Sequence, residues 1–511
     1  MRPSSPAPAA AVVTGLGLLA ALLAGCTGSD EPEEPAAAPS TSPAAGGAPE
    51  PDPVDLSLLV FNVEYGGTRA TDAVMEDLDA DVVGVLESYN RLPKIAEAAG
   101  YPYYDVGLQI LSKYPILEPS GADGLYAYLE VRPGEAVAMI NTHLDYVKDG
   151  PRQLVEGVPV EEVLASEDEV RTSSIEKLIP SAEELMADGW PVLLTGDLNE
   201  PSHLDWTAET ADQHRGFGPV AWPVSRALVD AGMTDVYREA HPDPVTDPGN
   251  TWGDVGDTGR MARRIDFAYA GGPVEVGSSQ VVGEEGVDGV DLGYPRWTSD
   301  HRAVYSELTV TPAPIPTTVA LSRRLVTVGE EVTAYWWFPD GTSAGSIGLS
   351  GPGSASYDVS GEVGTLDLGT AELPPGRYDV TLAGADGEVV ATNQLDVRSA
   401  TADVEVTTDR ATYGVGDDIT VSWTQGPANR WDWIGVYRAD AANPFQDDYL
   451  VWAYTGGHDA GALPPTTDGE LVIGQDHLGS PWPLPPGDYV VHYLLTDRYR
   501  SAGSAEFSVR R

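Results

Sequence analysis

A change in the pattern of apolar residues near residue 311 divides this chain of 511 residues. Between residues 55 and 309, short apolar runs typical of strands alternate with stretches typical of helices, which favours an α/β domain. After the string TPAPIP at residues 311–316, a period of two among many Gly and Pro turns is typical of β-sandwiches. Because single domains usually hold about 100 to 250 residues, several domains are expected.

The α/β region contains well-separated candidates for both kinds of element. The helix candidates are residues 72–78, 92–99 and 166–187. The strand candidates are residues 56–61, 82–86, 108–111, 125–131, 136–141, 192–195, 265–270 and 303–308. A Pro-Gly turn at residues 132–135 joins two strand candidates as a hairpin, so we predict mixed rather than purely parallel sheets.

Two strings recur in the C-terminal half of the chain. VGEEVT at residues 328–333 matches VGDDIT at 415–420, and LPPGRY at 373–378 matches LPPGDY at 484–489. We interpret the two matches as an internal duplication with extra residues inserted in the second copy. The predicted folded domains are therefore residues 54–310, 316–398 and 400–511.

The sole cysteine, Cys26, ends a typical export signal at residues 1–26. Arg2 precedes an apolar run at 11–23, and the string LAGC at 23–26 resembles a bacterial lipobox. The resemblance implies cleavage before Cys26, acylation of its thiol, and a lipid anchor in the membrane at the outer cell face. The alternative is a plain secretory signal with an incidental cysteine. Residues 27–53 hold almost no large apolar side chains and are expected to form a flexible tether.

The net charge limits the possible partners. The chain has 79 acidic and 29 basic residues, a formal charge of −50 at pH 7. Such a chain is repelled by nucleic-acid backbones unless a local basic track or a metal offsets the field. We therefore expect no non-specific binding of nucleic acid. The alternative explanation is that the acidity only serves solubility outside the cell or in a salty habitat.

Polar residues gather at the ends of the strand candidates, in the strings FNVE (61–64), VLE (85–87), NTHLD (141–145), TGDLN (195–199), RIDF (264–267) and SDHR (299–302). They supply carboxylate and amide oxygens together with histidines, and no thiolate. Such a set suits Mg²⁺, with Mn²⁺ or Ca²⁺ as alternatives. A hard divalent ion beside histidines is well matched to phosphoester hydrolysis.

In order and spacing, these strings resemble the endonuclease/exonuclease/phosphatase superfamily, the deoxyribonuclease I-like fold, over about residues 55–308. GDLN at 196–199 and SDH at 299–301 are the most specific, and the pair Thr251-Trp252 resembles a family string of structural character. The resemblance implies an α/β four-layer sandwich of two packed mixed sheets flanked by helices. It also implies single in-line displacement by water at a metal-dependent site.

Carried over residue by residue, the resemblance assigns a metal site and a base. Asn62 and Glu87 would bind the metal, and Asp300 would ligate or orient it. His301 would be the general base that deprotonates water, oriented by Asp266. The alternative for Asp266 is a salt bridge to a neighbouring arginine, Arg263 or Arg264.

The remaining assignments concern the phosphate. Asp197 and Asn199 would position the nucleophile and the phosphate, and His143 would contact the phosphate and support the leaving oxygen. The alternative is that Asp197 and Asn199 only cap a following helix. Ser202, however, is available as the N-cap residue. The roles of three further residues stay open, since each could support the site or lie at the surface: Glu64, Asp145 and His203.

The absence of one arginine limits the possible substrates. Nucleases of this family usually carry an arginine that grips the DNA backbone in the region corresponding to residues 122–128, and none is there. Candidates for contacting smaller phosphate groups are Arg69, Lys113, Lys148, Arg152 and Arg171. We predict a monomeric extracellular phosphodiesterase or phosphatase acting on lipid, inositol or glycan phosphoesters of the cell envelope. The alternatives are a secreted nuclease and a catalytically inactive surface binding protein.

The second C-terminal copy carries the string WDWIGVY at residues 431–437. It resembles the immunoglobulin-like β-sandwich found beside several kinds of phosphatase. Because strands favour aromatic side chains for packing, we expect these aromatics to lie in the sandwich core.

Overall fold

The structure is a computed structural model that describes residues 51–89, 91–253, 260–339, 341–399, 404–428, 432–440, 449–455, 467–474, 482–495 and 499–511. Cys26, the predicted export signal, most of the predicted tether and Trp431 lie outside these ranges. Across them, no helix is long and apolar enough to cross a membrane.

The α/β domain begins with β1 and is built on mixed sheets. Its strands are β1 Val54–Asn62, β2 Val82–Leu86, β3 Tyr103–Asp105, β4 Ile110–Ser112, β5 Ile116–Leu117, β6 Ala127–Arg132, β7 Glu135–His143, β8 Val192–Asp197, β9 Thr234–Asp235, β10 Asp266–Gly271, β11 Val274–Glu284, β12 Leu292–Tyr294, β13 Ala303–Val310 and β14 Ala313–Pro314. The first sheet has the order β12-β11-β13-β1-β2-β4-β3, and the second β5-β6-β7-β8-β10-β9 with β14 on β7. Each contains parallel and antiparallel pairs, so the prediction of mixed sheets is confirmed.

The helices of this domain flank the sheets. They are α1 Arg69–Leu78, α2 Leu92–Ala99, α3 Gly150–Val155, α4 Val160–Glu167, α5 Ser173–Ile175, α6 Ile179–Ala187, α7 Pro223–Asp230 and α8 Val236–Ala240, with a π-helical turn at Asp168–Thr172. The stretch predicted to be helical over 166–187 is helical but not continuous, because the chain breaks between α5 and α6. Pro180 lies in the first turn of α6, where its missing N–H is tolerated, and it cannot continue a helix from α5.

Apolar side chains define the layers. Leu58 and Val60 of the first sheet share one core with Met139 and Leu193 of the second. The outer face of the first sheet packs against α1 and α2, and the outer face of the second packs against helices that include α6 and α7. The order of layers is therefore helix, sheet, sheet, helix.

A polar tie joins the two sheets inside this apolar core. The Asn141 amide donates to the carbonyl oxygens of Val85, Leu108 and Gln109 at 3.2, 2.9 and 3.1 Å. Thr195 Oγ1 donates to Asn141 Oδ1 at 2.8 Å. The close approach depends on Gly84, since a Cβ there would lie 2.1 Å from Thr195 Oγ1.

The C-terminal half is strand-rich, as predicted. Its strands are β15 Thr318–Leu321, β16 Leu325–Thr327, β17 Val332–Trp337, β18 Ala344–Ser350, β19 Ser354–Ser360, β20 Val363–Leu368, β21 Gly376–Gly384, β22 Val389–Arg398, β23 Glu405–Thr408, β24 Thr412–Gly414, β25 Ile419–Thr424, β26 Trp433–Arg438, β27 Val451–Tyr454, β28 Gly469–Ile473, β29 Gly487–Leu494 and β30 Ser501–Arg510.

These strands form a first all-β domain (β15–β22) and a second all-β domain (β23–β30). The first has the sheets β15-β17-β20 and β16-β22-β21-β18-β19, and the second has β23-β25-β28 and β24-β30-β29-β26-β27. Strand for strand the two orders are the same, and each pair of sheets encloses its own apolar core. This is the relation that a duplicated domain would have.

The first all-β domain shares a core with the α/β domain. Ala320 and Trp337 pack into the cluster on the outer face of the second sheet, and β14, directly before this domain, pairs with β7. Buried Glu118 forms an isolated bridge with Leu321, and its carboxylate accepts from the Arg324 backbone N–H at 2.7 Å. Continuous packing and main-chain bonding therefore fix this domain to the second sheet.

Candidate active site

The predicted site residues meet at one edge of the paired sheets. Asn62 ends β1, His143 ends β7, Asp197 ends β8 and Asp266 begins β10. The register aligns His143 with Asp197 and Asp197 with Asp266 across neighbouring strands. A cavity of about 340 Å³ there is lined by six of the eight predicted residues: Glu87, His143, Asp197, Asn199, Asp300 and His301. Asn62 donates to Glu87 and Asp197, and Asp266 pairs with His301, so all eight come together.

His301 and Asp266 form a buried pair. His301 Nδ1 lies 2.9 Å from Asp266 Oδ2, which leaves Nε2 3.7 Å from Asp197 Oδ2. Burial acts to lower the pKa of His301, but attraction by Asp266 and Asp197 raises it to about 10. Burial raises the pKa of Asp266 to about 6 despite the opposing effect of His301. In the metal-free site at neutral pH, the pair therefore consists of an imidazolium and a carboxylate.

Asp197 lies between the two histidines. Its Oδ2 is 3.3 Å from His143 Nε2 and accepts from Asn62 Nδ2 at 3.0 Å, and its Oδ1 accepts from the Asn199 N–H at 2.9 Å. Burial would raise its pKa, but His143 and His301 together lower it to about 2. The Asn199 amide lies 3.0 Å from His143 Nε2. Asp197 is thus ionised across the physiological range and holds both imidazoles toward the cavity.

Carboxylates concentrate on the other side of the cavity. Glu87 accepts from Asn62 Nδ2 at 3.1 Å and from the Tyr65 N–H at 2.9 Å, and Glu64 accepts from the Asp300 N–H at 3.1 Å. Burial and then repulsion by Asp300 and Glu87 raise the pKa of Glu64. This negative charge is what a divalent cation would neutralise, and the oxygen donors suit a hard ion. A second candidate metal site is formed by Asp197, Asp266 and His301. Their ligand atoms lie within 4.8 Å of one another.

Strained backbone supports the same residues. Glu64, Glu87 and Asn199 adopt left-handed conformations, with φ of 53°, 57° and 50°. Such conformations are costly for residues with a side chain and cluster at functional sites. The strain places these polar side chains at the strand ends, where an extended backbone would direct them elsewhere.

Comparison with known proteins agrees with this geometry. Residues 59–301 match the model of the endonuclease/exonuclease/phosphatase family. The chain contains an endonuclease/exonuclease/phosphatase domain. Members of this family are metal-dependent phosphoric ester hydrolases, and this domain is such a hydrolase.

Individual relatives are more distant. An uncharacterized protein of Caenorhabditis elegans is 28% identical over 254 residues, covering 43% of this chain and 79% of that protein. Similar solved structures include an endonuclease/exonuclease/phosphatase of Beutenbergia cavernae, with 17% identity and a TM-score of 0.32, covering 67% of this chain and 99% of that one. They also include a mannosyl-6-phosphatase of Bacteroides thetaiotaomicron, with 17% identity and a TM-score of 0.33, covering 50% and 99%.

A second cavity adjoins the site of the endonuclease/exonuclease/phosphatase domain. Its volume is about 520 Å³, and the residues it shares with the first cavity are Tyr146, Asn199, Trp252 and Arg260. Arg152, Arg215 and Arg263 also line it. The guanidinium carbons of Arg260 and Arg263 lie 4.7 and 4.4 Å from the Trp252 ring centre, and Trp252 Nε1 donates to Asp300 Oδ2 at 3.2 Å. Arginines are thus held beside the carboxylate cluster.

The basic residues predicted to contact phosphate are mostly engaged elsewhere. Arg171 is fully buried against Glu167, so this prediction is wrong. Lys113 pairs with Asp79 and Asp81, and Lys148 pairs with Glu169. Of the five candidates, Arg152 is the one that lines either cavity in the described structure.

The alternatives left open by the sequence are also resolved in part. Arg264 pairs with Asp205 and Asp235 at 2.9 and 2.7 Å, and Arg263 pairs with Asp149 at 2.6 Å. Asp266 is therefore not their salt-bridge partner. The chain after Asn199 forms turns rather than a helix, with Ser202 Oγ accepting from the Leu204 N–H at 3.1 Å.

The supporting residues divide between the site and other contacts. Glu64 lies in the carboxylate cluster described above. The Asp145 carboxylate accepts from the Val147 N–H at 2.8 Å and is buried. His203 Nδ1 lies 2.9 Å from Ser225 Oγ. No catalytic string of the sequence contains Trp252, Arg260 or Arg263, although Trp252 belongs to a family-like string.

Proposed function

We propose that this protein is an extracellular, lipid-anchored phosphodiesterase or phosphatase that hydrolyses lipid, inositol or cell-envelope glycan phosphoesters. The observation that supports it best is the His301–Asp266 pair, which faces Asp197 and the carboxylate cluster across one cavity. A base, phosphate-positioning groups and hard ligands are the parts that hydrolysis by direct attack of water requires.

His301 would be the base in this reaction. The hydrogen bond between Nδ1 and Asp266 keeps Nε2 directed at the cavity, where it can take a proton from the attacking water. A cation held by Asn62, Glu87 and Asp300 would repel a proton on His301 and so oppose the effect of Asp266 and Asp197, which would leave Nε2 able to accept one.

Asn62, Glu87 and Asp300 would hold Mg²⁺, or alternatively Mn²⁺ or Ca²⁺. The bound ion supplies a positive charge that neutralises the phosphate and stabilises the charge developing during displacement. Asp197 and Asn199 would orient the water and the phosphate. His143, which lies 3.0 Å from the Asn199 amide, would stabilise the leaving oxygen.

Charge and shape favour a compact phosphoester as the substrate. A chain with a net charge of −50 needs local positive charge to attract a phosphoester. Arginines that line the second cavity supply part of it next to the site, where Arg263 is paired with Asp149 and Arg152 with Glu156. The cavities suit a compact phosphoester, and the absence of a basic residue at 122–128 disfavours a nucleic-acid backbone.

The cellular setting is inferred from the sequence. The lipobox around Cys26 and the tether at 27–53 support display on the outer face of the membrane. Each all-β domain has two sheets around its own apolar core, which supports β-sandwich modules, and we propose that they are immunoglobulin-like and accompany the enzyme. We infer a monomer.

The decisive experiment is an assay of the segment 51–511 against phospholipids, inositol phosphates, bis-p-nitrophenyl phosphate and DNA, with Mg²⁺, Mn²⁺, Ca²⁺ or EDTA. Metal-dependent turnover of lipid or inositol esters that His301→Ala abolishes is the expected result. Preferential cleavage of DNA would favour a nuclease instead. A lack of turnover with every substrate would favour a surface binding protein.

A further inference from the structure

The wall of the catalytic cavity includes a residue from the far end of the chain. Tyr454, the last residue of β27 in the second all-β domain, lines the cavity together with Glu87 and His301. The same tyrosine belongs to an apolar cluster with Trp433, Tyr437 and Leu494. Tyr89 of the α/β domain, which is the hydrolase domain, is part of that cluster. The active site is therefore built from two domains that are distant in sequence.

The contact reaches the carboxylate cluster through Tyr89. This residue lies two positions after Glu87, and its hydroxyl donates to Glu87 Oε2 at 3.4 Å. Its ring is nearly parallel to that of Tyr65, with centres 6.3 Å apart. Packing in the second all-β domain thus supports the loop that carries Glu87.

Five aromatic side chains line the cavity. We call Tyr65, Tyr89, Tyr146, Trp252 and Tyr454 the aromatic collar, since all five line this cavity. Tyr65 and Tyr146 are 69% and 60% exposed, the highest values among the exposed large apolar side chains of the described residues, whereas Tyr89 and Tyr454 are 8% and 3% exposed and form the buried part of the collar. Exposed aromatics beside a polar catalytic centre are typical of a surface that a ligand covers.

The position of Tyr454 is fixed by a chain of contacts. The first all-β domain is joined to the second sheet by the Glu118–Leu321 bridge and a shared core. Arg398, at the end of β22, donates to the Pro427 carbonyl oxygen of the second all-β domain at 2.6 Å. The duplicated domains therefore serve different purposes, one as a support and the other as a wall.

We propose that the aromatic collar binds a ring-shaped alcohol group of the substrate, and that Tyr454 makes the second all-β domain part of the specificity site. The inference rests on the proposed phosphoester hydrolysis and adds the shape of the esterified alcohol. Aromatic faces pack well against planar or cyclic groups. The phosphate would lie at the histidines while its ring contacts the collar.

The test compares binding of phenylphosphonate and methylphosphonate to the purified full chain with Mg²⁺ by calorimetry. The two ligands share a phosphonate head group and a P–C bond that is not hydrolysed, and they differ in the ring. We expect the wild type to prefer phenylphosphonate by about tenfold, the size of a typical aromatic contact. Tyr454→Leu, which keeps bulk but removes the ring, should reduce the preference to about twofold, while Tyr454→Phe retains it.

A matched control comes from the duplicate. Tyr357 lies on β19, the strand of the first all-β domain that corresponds to β27, and Tyr357→Leu should leave both affinities unchanged. Tyr146→Leu removes an exposed collar residue from the hydrolase domain and should also reduce the preference, independently of folding in the second all-β domain.

The outcomes separate the two proposals. Equal binding of both ligands by the wild type, or an undiminished preference in Tyr454→Leu, would overturn the role of the collar. A parallel loss of affinity for both ligands in Tyr454→Leu would also overturn it, since that result indicates a structural role. If neither ligand binds the wild type, the proposed phosphoester site itself is contradicted.

Discussion

At His301, burial and the neighbouring carboxylates act on the imidazole in opposite directions. Burial favours the neutral ring, whereas Asp266 and Asp197 favour the charged one, and the carboxylates prevail because they lie 2.9 and 3.7 Å away. The pKa of this histidine therefore reports directly on the pair. A change in either carboxylate should be visible in it.

Asp266→Asn is expected to lower the pKa of His301 from about 10, because the amide removes the nearest negative charge. The imidazole resonances in an NMR titration of the metal-free protein measure this shift. The turnover number should fall by about 10² to 10⁴, as when the orienting carboxylate of a histidine base is lost. Asp212→Asn, at an exposed position, is the control. An unchanged titration would show that Asp266 does not set this pKa.

Glu87→Gln should weaken Mg²⁺ binding by at least about tenfold, since a charged oxygen ligand becomes neutral. Calorimetric titration of the metal-free protein measures the affinity. Glu97→Gln changes an exposed glutamate on α2 and should have no effect. If Glu87→Gln bound Mg²⁺ normally, the set Asp197, Asp266 and His301 would become the better metal site.

Single residues were predictable where a short string carried them. All eight predicted site residues meet at one cavity, because each string ends or begins a strand at the same edge of the sheets. Arg171 was not predictable, since nothing in its string shows that Glu167 would bury it. Tyr454 could not be found either, because its contact with Tyr89 depends on how separate domains pack.

At the scale of elements, apolar runs located strands well and mixed sequences did not. The candidate at residues 82–86 coincides with β2, but the long strand β11 was missed. Its sequence VEVGSSQVVGE has a polar Gly-Ser interruption, and a bulge between Val276 and Ser278 shifts the register there. Local propensity falls at such a bulge, while pairing with β13 maintains the strand.

Gly84→Ala tests the polar tie between the sheets. The added methyl would lie 2.1 Å from Thr195 Oγ1 and 2.7 Å from Asn141 Oδ1, so the sheets must separate beneath the site. We expect the free energy of unfolding to fall by about 3 kcal/mol or more in urea denaturation. Gly369→Ala, where a Cβ meets nothing within 4 Å, should be close to neutral. Equal stability of the two variants would contradict the tie.

At the scale of the whole molecule, the contact between the α/β domain and the first all-β domain contains buried acids. Burial and repulsion by Asp105 raise the pKa of Glu118 well above its ordinary value, and Arg324 opposes this. Because the folded-state pKa exceeds that of the unfolded chain, the protonated acid stabilises the fold at low pH. That contribution is lost as the pH rises through the folded pKa.

Glu118→Gln mimics the protonated acid and should therefore reduce the loss of stability on raising the pH. Urea denaturation of the full chain at pH 5 and pH 8 measures the difference, and Glu97→Gln serves as the exposed control. A pH dependence equal to that of the wild type would show that Glu118 does not titrate between the folded and unfolded states.

The shared core of the second sheet and the first all-β domain also determines where the chain can be cut. Cleavage near residue 311 would remove Ala320 and Trp337 from the cluster and leave Glu118 without its partner Arg324. Such a fragment would expose an apolar surface and aggregate. Because Ala313 and Pro314 pair with β7 and Ile315 is buried, limited proteolysis of the native protein should spare the linker at 311–316, although its proline-rich sequence looks like an ordinary domain boundary.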